Sequence, residues 1–346
     1  FELKLLPYRF TNGKVERLVS FDLTLKAIGP IFTSLNKKGN KTQSVLASGT
    51  WYKIKLREDG IYKIDKSFLT KSGINTNDID LNTFKVYGNG GGILPEVIAT
   101  PRIDDLSENA IQVFDGNTNN KMDDGDYILF YGKGPDGWKD NANNYKHQRN
   151  PYTDYANYFL TWGGIQGKRI TQNDAGQGVT PQMVVTESDY LYVHDVDLIN
   201  FRNSGREWFG EVLTVENASF AVGLPDVISS PKNFIRSEIA IRTGIPTIVN
   251  LYLNGGNFIM HACSTVDFES DDNYADVSTI DQPFSTTGTL NFTYEFIRPQ
   301  LSSEAWLNYF EVQCKRQMKP IDGQIHLFNI DSRLSVPVKF VVEGLT

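Results

Sequence analysis

Residues 51–64 read WYKIKLREDGIYKI, and this stretch decides the fold class. Over residues 52–57, aromatic and aliphatic side chains alternate with lysines and an arginine, a period of two that is typical of a half-buried β-strand. Asp59-Gly60 separates this run from a second one at residues 61–64, and Asp-Gly is a strong signal for a tight hairpin turn. The stretch therefore predicts two antiparallel strands joined by a turn.

A short helix is expected directly after this stretch. Asp65 or Ser67 can cap its N-terminus, because the side-chain oxygen of Asp or Ser accepts a hydrogen bond from a free N–H of the first turn. Gly73 suits the position just past the end, where a residue in the left-handed conformation terminates a helix. We predict this helix over residues 67–72.

Alternating runs continue along the chain, and no long amphipathic helix competes with them. They predict strands at 17–28, 84–88, 110–114, 127–131, 158–162, 190–196, 207–215, 234–242, 247–253, 289–297, 307–317, 323–328 and 336–342. The polar stretches 33–42 and 173–181 indicate exposed linkers.

The predicted fold is all-β and mainly antiparallel, with two β-sandwich-like domains, an N-terminal strand segment and few short helices. The segment and its linker cover residues 1–40. A β domain with an acidic loop covers 41–175, and a β-sandwich domain covers 180–346.

The composition excludes several classes of function and site. The 346 residues carry 41 acidic and 34 basic side chains, a net charge of −7, which disfavours a nucleic-acid partner. Two cysteines are too few for a zinc knuckle or a disulfide framework, although a single bridge between Cys263 and Cys314 stays open. The chain opens on Phe1 without a leader pattern, which indicates a removed leader or an internal piece.

The densest polar cluster, residues 115–126, reads DGNTNNKMDDGD and has the spacing of an EF-hand-type calcium loop. The predicted oxygen ligands are the side chains of Asp115, Asn117, Asn119, Asp123 and Asp126 and the carbonyl of Lys121. Asn120 stands where such loops carry Gly, and Asp126 stands where they carry a longer Glu. A long Asn/Asp turn without an ion is the alternative.

Two further motifs favour structural roles. Residues 88–92 read GNGGG but run into Ile-Leu-Pro rather than a helix, so they indicate a glycine turn and not a phosphate loop. His261 and Cys263 lie two apart, which puts them about 7 Å from each other on one strand face, beyond hydrogen-bond reach. The remaining histidines, His147, His194 and His326, have no companions at metal-ligand spacing.

Glu207 and Glu211 flank a tryptophan and suggest a glycosidase acid/base pair. On a strand they would lie about 13 Å apart, which is farther than retaining or inverting hydrolysis uses. We therefore expect a structural contact of Arg206 or Glu207 that locks the start of the domain. Separately, the exposed-looking aromatics Trp138, Trp162 and Trp208 suggest a carbohydrate-binding surface.

Six strings, taken in order, resemble one family: SVLASGTWYKI at 44–54, GIYKI at 60–64, VYGNGG at 86–91, GDYILFY at 125–131, GREWFGE at 205–211 and AWLNY at 305–309. As a set they are similar to the N-terminal region of the PorU family, gingipain-like cysteine endopeptidases that act as sortases of the Bacteroidota type IX secretion system. The resemblance extends from about residue 44 to the end.

This resemblance implies an outer-membrane-associated enzyme at the cell surface, exported with a signal peptide that is then removed. The enzyme would remove C-terminal secretion signals from cargo proteins and join the new ends to anionic lipopolysaccharide. The implied partners are that cargo and the outer-membrane β-barrel shuttle protein PorV.

The family's catalytic Cys and His lie in a caspase-like domain C-terminal to such a region, and the His is followed by Gly. Here the four histidines are followed by Gln148, Asp195, Ala262 and Leu327, so no catalytic residue carries over. We therefore expect a scaffold region without catalytic residues and with no cofactor besides calcium. The alternatives are a calcium-stabilised surface adhesin or carbohydrate-binding β-sandwich, and a hydrolase that uses Glu207 and Glu211.

Overall fold

The computed structural model describes residues 8–11, 14–17, 43–141, 144–171, 178–203, 207–214, 216–268, 273–323, 325, 327–332 and 336–344. The chain divides into two compact units, Phe1–Gln43 and Ser44–Thr346. In the first unit, β1 (Tyr8–Thr11) and β2 (Lys14–Arg17) form an antiparallel pair. Except for Arg17, the predicted strand 17–28 lies outside the described residues, and so does the predicted linker 33–42.

The second unit begins with two small sheets and one helix. Its elements are β3 (Tyr52–Leu56), β4 (Gly60–Asp65), α1 (Lys66–Lys71), β5 (Lys85–Tyr87), β6 (Glu108–Asn109), β7 (Gln112–Phe114), β8 (Tyr127–Gly132), β9 (Gly137–Asn141), β10 (Asn144–Gln148) and β11 (Ala156–Thr161). One sheet has the order β3-β11-β5-β6 and the other β4-β8-β7, while β9 and β10 form a separate hairpin. Short 3-10 turns lie at Val45–Ala47, Thr76–Asp78 and Ile330–Ser332.

The two sheets enclose a first hydrophobic core, to which Ile64, Ile128 and Tyr158 contribute. The glycine turn after β5 packs closely against this core. A Cβ atom at Gly88 would lie 2.4 Å from Cδ1 of the Tyr158 ring, so only glycine fits there. This packing agrees with the prediction that residues 88–92 form a structural glycine turn and not a phosphate loop.

The predicted hairpin at Asp59-Gly60 is wrong. Strand β3 pairs with β11, and β4 pairs with β8 in the other sheet, so the chain crosses between sheets at this point. The crossing is held by Gly134, whose N–H donates to Asp59 Oδ1 at 2.8 Å. Helix α1 agrees with its prediction, because Asp65 caps it by accepting from the Phe68 N–H at 2.8 Å.

The later residues form a β-sandwich. The strands in this part of the chain are β12 (Met183–Val185), β13 (Glu187–Asp195), β14 (Ala218–Val222), β15 (Phe234–Arg242), β16 (Ile248–Leu253), β17 (Gly256–Ala262), β18 (Asp276–Pro283), β19 (Leu290–Phe296), β20 (Glu304–Gln317) and β21 (Val338–Phe340). One layer has the order β13-β20-β15-β18 and the other β14-β19-β16-β17. Strands β12 and β21 form a small parallel pair.

The second hydrophobic core lies between these two layers, with Phe310 of β20 and Ile239 of β15 fully buried in it. Side chains alternate along a strand, so Arg236 and Glu238 of β15 point to the outer face of the first layer. We call this the outer face of the sandwich.

The hairpin β9–β10 docks on the outer face through side chains of β20. The Tyr145 N–H donates to Gln313 Oε1 at 2.9 Å, and Gln313 Nε2 donates back to the Tyr145 carbonyl at 2.6 Å. The His147 N–H donates to Glu311 Oε1 at 3.0 Å. These bonds tie the two halves of the second unit together.

The all-β, mainly antiparallel fold class is confirmed. Residues 207–215 and 323–328 form no strand among their described members; Phe209 and Val212 make only isolated bridges. The division of the second unit into domains at 41–175 and 180–346 stays a prediction.

In the part of the chain that the structure describes, no helix is long and apolar enough to cross a membrane.

Candidate functional site

A polar cleft of about 400 Å³ opens on the outer face of the sandwich. One wall comes from β10 and the residues that follow it, a second from residues 195–197 and 207–208, and the floor from β15 and β20. Of the candidate residues discussed in the sequence analysis, His147, Glu207 and Trp208 line this cleft.

A β-bulge shapes the floor of the cleft. Glu238 pairs with Tyr309 and Ile239 pairs with Leu307, so Asn308 is the extra residue on β20. As a result, both Asn308 Nδ2 and the Tyr309 hydroxyl reach Glu238, at 2.7 and 3.2 Å. The bulge thus collects three polar side chains at one point.

Arg149 bridges the wall and the floor. Its guanidinium lies 3.0 Å from Asp197 Oδ2 and 3.6 Å from Asp195 Oδ1, and it also donates to the Asp195 carbonyl. The side chain of Asp195 is only 14% exposed. Burial raises the pKa of Asp195 to about 7, although the Arg149 charge acts in the opposite direction.

The pKa values of other groups in the cleft are also shifted in the direction that favours the neutral form of each group. Burial lowers the pKa of His147 to about 4. Burial raises the pKa of Glu207, and the charge of Glu238 raises it further. Burial, and then the Glu238 charge, raise the pKa of Tyr309. Clustered groups of this kind in a concavity mark a candidate binding site.

The structure separates Glu207 from Glu211. Glu211 Oε1 lies 2.8 Å from Nε2 of His194, whose ring packs on Phe220 and Phe310 on the core side of the first layer. Glu207 faces the cleft on the other side. The two carboxylates therefore do not share a site, and this argues against a hydrolase that pairs them.

The cysteines are structural. Both are free thiols, which closes the question of a bridge between Cys263 and Cys314. Burial raises the pKa of Cys314 to about 12 and raises that of Cys263 as well, whereas a thiol nucleophile requires a lowered pKa. His261 is fully buried between Ser237 and Ser278, as the structural interpretation predicts, and His326 lies outside the described residues.

Only one of the three tryptophans suggested for sugar binding is exposed. Trp208 is 41% exposed at the cleft. Trp162 stacks between Tyr52 and Phe84, with ring centroids 5.2 and 5.9 Å away. Trp138 packs edge-on against His147 at 5.0 Å.

The acidic loop at 115–126 is closed by carboxylates that accept backbone hydrogen bonds. Asp115 accepts from the Asn120 N–H at 2.7 Å and from the Asn119 N–H at 3.3 Å. Asp126 accepts from the Gly116 N–H and the Asp123 N–H, both at 2.9 Å. Asn120 has a φ of 60°, the left-handed conformation that glycine supplies at this position of an EF-hand loop.

The remaining predicted ligands lie in the same loop. The side-chain amides of Asn117 and Asn119 donate to Asp123 Oδ2 at 3.0 and 2.8 Å, and these bonds lower the pKa of Asp123. The Lys121 N–H donates to Asn119 Oδ1 at 2.7 Å. Over the described ranges, no three or more His, Cys, Asp or Glu side chains are arranged to hold a metal ion. The calcium site stays a prediction.

Comparisons with known proteins identify a structural relative. No family model matches the chain, and no curated protein matches it. The crystal structure of dimeric latent PorU from Porphyromonas gingivalis superposes with a TM-score of 0.67 at 23% identity, over 85% of this chain and 26% of that chain.

The fold is PorU-like. At this identity the likeness shows the fold alone, and the chain spans about a quarter of the length of PorU. A carbohydrate-binding module, CBM36 in complex with calcium and xylotriose, matches with a TM-score of 0.22 at 11% identity, over 37% of this chain and 99% of that chain. A TM-score of 0.22 does not show a shared fold.

In this PorU-like fold the family-like strings take up defined positions. Residues 60–64 form most of β4, residues 127–131 lie in β8, and residues 305–309 lie in β20 at the bulge below the cleft. Gly205 and Arg206 lie outside the described residues.

We propose that the acidic loop of the PorU-like fold binds calcium through the predicted ligands. A chelator should then lower the melting temperature, because an ion at about 100 times its dissociation constant stabilises the folded state by about 2.7 kcal/mol. Asp115→Ala should remove the difference between chelated and calcium-loaded protein. Asp124→Ala is the control, since Asp124 is 95% exposed and is not a predicted ligand, and should keep the difference. Equal melting temperatures with and without chelator would leave the hydrogen-bonded turn as the full description of the loop.

Proposed function

We propose that this chain is the non-catalytic N-terminal scaffold region of a type IX secretion sortase. The observation that carries the proposal is the PorU-like fold, which covers 85% of the chain at a TM-score of 0.67. The ordered strings between residues 44 and 309 are the sequence resemblance from which the same expectation arose.

The parent protein would be a gingipain-like cysteine endopeptidase at the cell surface, associated with the outer membrane. It would cleave C-terminal secretion signals from cargo and attach the cargo to anionic lipopolysaccharide, together with PorV. The raised pKa values of Cys263 and Cys314 disfavour both thiols as the nucleophile, so the proposal assigns the catalytic thiol to another part of the parent. The scaffold would position the catalytic domain and provide docking surfaces for partners.

The proposal is tested by activity in the complete reading frame. The full-length protein should cleave cargo C-terminal domains in a thiol-dependent manner, and truncation after Thr346 should abolish the cleavage. Cys263→Ala and Cys314→Ala in the full-length protein are the controls and should keep it. Cleavage by the truncated chain, or a reading frame without a caspase-like domain that contains a His-Gly pair and a later Cys, would contradict the proposal.

A further inference from the structure

We propose that the side chains of Lys315 and Asp189 condense to an amide, an isopeptide bond that joins β20 to the edge strand β13. The bond is a modification of the chain by its own residues, and it goes beyond the sortase proposal and does not depend on it. Four features of one contact support it: a buried amine, a facing carboxyl group, two donors to one oxygen of that carboxyl group, and a second carboxylate beside the amine.

The two reacting side chains face each other across neighbouring strands. Asp189 and Lys315 are direct partners in the antiparallel ladder of β13 and β20. Both point to the outer face of the sandwich, since Cys314, the next residue back along β20, is part of the core. Lys315 Nζ lies 2.5 Å from Asp189 Oδ1. The carboxyl carbon is one bond beyond that oxygen, which brings the amine close to the separation of about 3–3.5 Å in a near-attack conformer.

Water is largely excluded from this contact. The side chain of Lys315 is 2% exposed and that of Asp189 is 8% exposed. The rings of Tyr145 and Phe328 stack beside it with centroids 4.6 Å apart, and the Phe328 carbonyl accepts from the Asp189 N–H at 2.7 Å. A buried ion pair carries two charges that are costly to desolvate, whereas an amide is neutral. Condensation removes this cost, and the scarcity of water opposes hydrolysis of the product.

The second oxygen of Asp189 lies between two hydrogen-bond donors. Its Oδ2 accepts from the Ile330 N–H at 2.6 Å and from the Tyr145 hydroxyl at 3.2 Å. When an amine adds to a carboxyl carbon, negative charge develops on the oxygen that remains, and fixed donors stabilise that charge. The two donors therefore stand where an acyl-transfer site has its oxyanion hole.

Asp331 can move the protons. Its Oδ2 accepts from Lys315 Nζ at 3.1 Å, and Lys232 pairs with its other oxygen. The hydrogen bonds from Lys232 and Lys315 lower the pKa of Asp331, so it is a carboxylate and can accept a proton. Burial lowers the pKa of Lys315, but its bonds to Asp189 and Asp331 outweigh burial and leave the pKa raised. The ammonium is thus the main form, and the reaction starts from the neutral amine that a proton transfer inside the contact provides.

The condensation balances without any other reactant. The Lys315 ammonium gives one proton to the Asp189 carboxylate, so that both groups are neutral. Nζ then attacks the carboxyl carbon, and a C–N bond forms. Asp331 takes a second proton from the nitrogen and delivers it to the hydroxyl on Oδ1, whereupon the C–O bond breaks and water leaves. One ammonium and one carboxylate become one amide and one water, and nothing is oxidised or reduced.

Mass spectrometry of the purified 346-residue chain tests the proposal. The intact protein should weigh one water less than its sequence, and a proteolytic digest should contain a branched peptide that joins Lys315 to Asp189. The ion pair between Lys66 and Asp124 is the internal control. Its atoms lie 3.2 Å apart, but Asp124 is 95% exposed, so the same digest should show no cross-link there.

Variants separate the covalent bond from an ordinary ion pair. Lys315→Arg keeps the positive charge, but its guanidinium does not condense with a carboxyl group, so the variant should have its full sequence mass. Asp331→Asn keeps both reacting side chains. Loss of a general base slows such steps about 10²–10⁴-fold, so this variant should unfold cooperatively and yet be purified without the bond. Asp226→Asn removes a carboxylate that pairs with the neighbouring Arg316, and it should keep the bond.

Three results would overturn the proposal. The first is a folded native chain with its full sequence mass. The second is a loss of water that the digest places elsewhere, such as a succinimide at Asp115-Gly116, and not at Lys315. The third is a native mass deficit that Lys315→Arg retains. A bond that forms fully in Asp331→Asn would contradict the role of Asp331 as the proton carrier.

Discussion

Replacing Phe310 by alanine is expected to lower the free energy of unfolding by about 3–5 kcal/mol, the range for deleting a buried aromatic ring. Phe310 is fully buried between the two layers of the sandwich. Its ring centroid lies 4.7 Å from Phe292, 5.2 Å from His194, 5.2 Å from Phe220, 6.1 Å from Tyr192 and 6.3 Å from Tyr294. Because five rings surround it, the cavity cannot close by a small shift of one neighbour.

Urea unfolding at neutral pH measures this loss. Phe310→Leu fills part of the space and should lose less than the alanine variant. Phe114→Ala is the matched control, because Phe114 is 48% exposed and contacts a single ring, that of Tyr127 at 4.9 Å. The free energy of unfolding of this variant should fall by only about 1 kcal/mol. Similar losses for Phe310→Ala and Phe114→Ala would contradict the central place of Phe310 in the core.

Acidification from pH 7 to pH 5 is expected to remove about 2 kcal/mol of stability through His261 alone. Nε2 of His261 lies 3.0 Å from the Ser237 hydroxyl, and Nδ1 lies 3.0 Å from the Ser278 hydroxyl. Burial lowers the pKa of His261 to about 4. In the unfolded chain a histidine has a pKa of about 6.5, so below that pH the unfolded state binds a proton that the folded state does not. The loss grows to about 3 kcal/mol near pH 4.

The comparison that isolates His261 is the pH dependence of native protein and His261→Gln. The variant cannot titrate here, so it should lose about 2 kcal/mol less between pH 7 and pH 5. Asp195 acts in the opposite direction, because its pKa is raised to about 7 and the folded state gains stability as the pH falls toward 4. Both proteins keep Asp195, so its effect cancels in the comparison. Equal pH slopes would contradict a neutral, buried His261.

The sequence predicts strands far better than it predicts their partners. The period of two locates β15 at Phe234–Arg242, the range predicted from the sequence. The same local signal at residues 51–64 gives two correct strands but a wrong hairpin, since pairing depends on β11 and β8, which lie about 65 to 105 residues away along the chain. The strand predicted at residues 207–215 is wrong, because Phe209 and Val212 make only isolated β-bridges and not a continuous ladder.

The cleft could be predicted only in part. Glu207 and Trp208 stand out in the sequence as a carboxylate beside an aromatic residue. Asp195 and Glu238 give no local signal, because they look like ordinary outward-facing strand residues until distant segments meet. No sequence pattern predicts the bulge at Asn308, since it depends on the register between β15 and β20.

The reciprocal bonds between Tyr145 and Gln313 have a practical consequence for dissecting the molecule. The Gln313 carboxamide imitates a neighbouring strand: it accepts from one backbone N–H and donates to one backbone carbonyl. Gln313 is 4% exposed and Glu311 is 1% exposed, so their polar atoms reach little water. A fragment that starts at residue 180 would bare both side chains, and a fragment that stops at residue 175 would leave the edge of β10 unpaired. Expression boundaries should therefore keep both halves on one polypeptide.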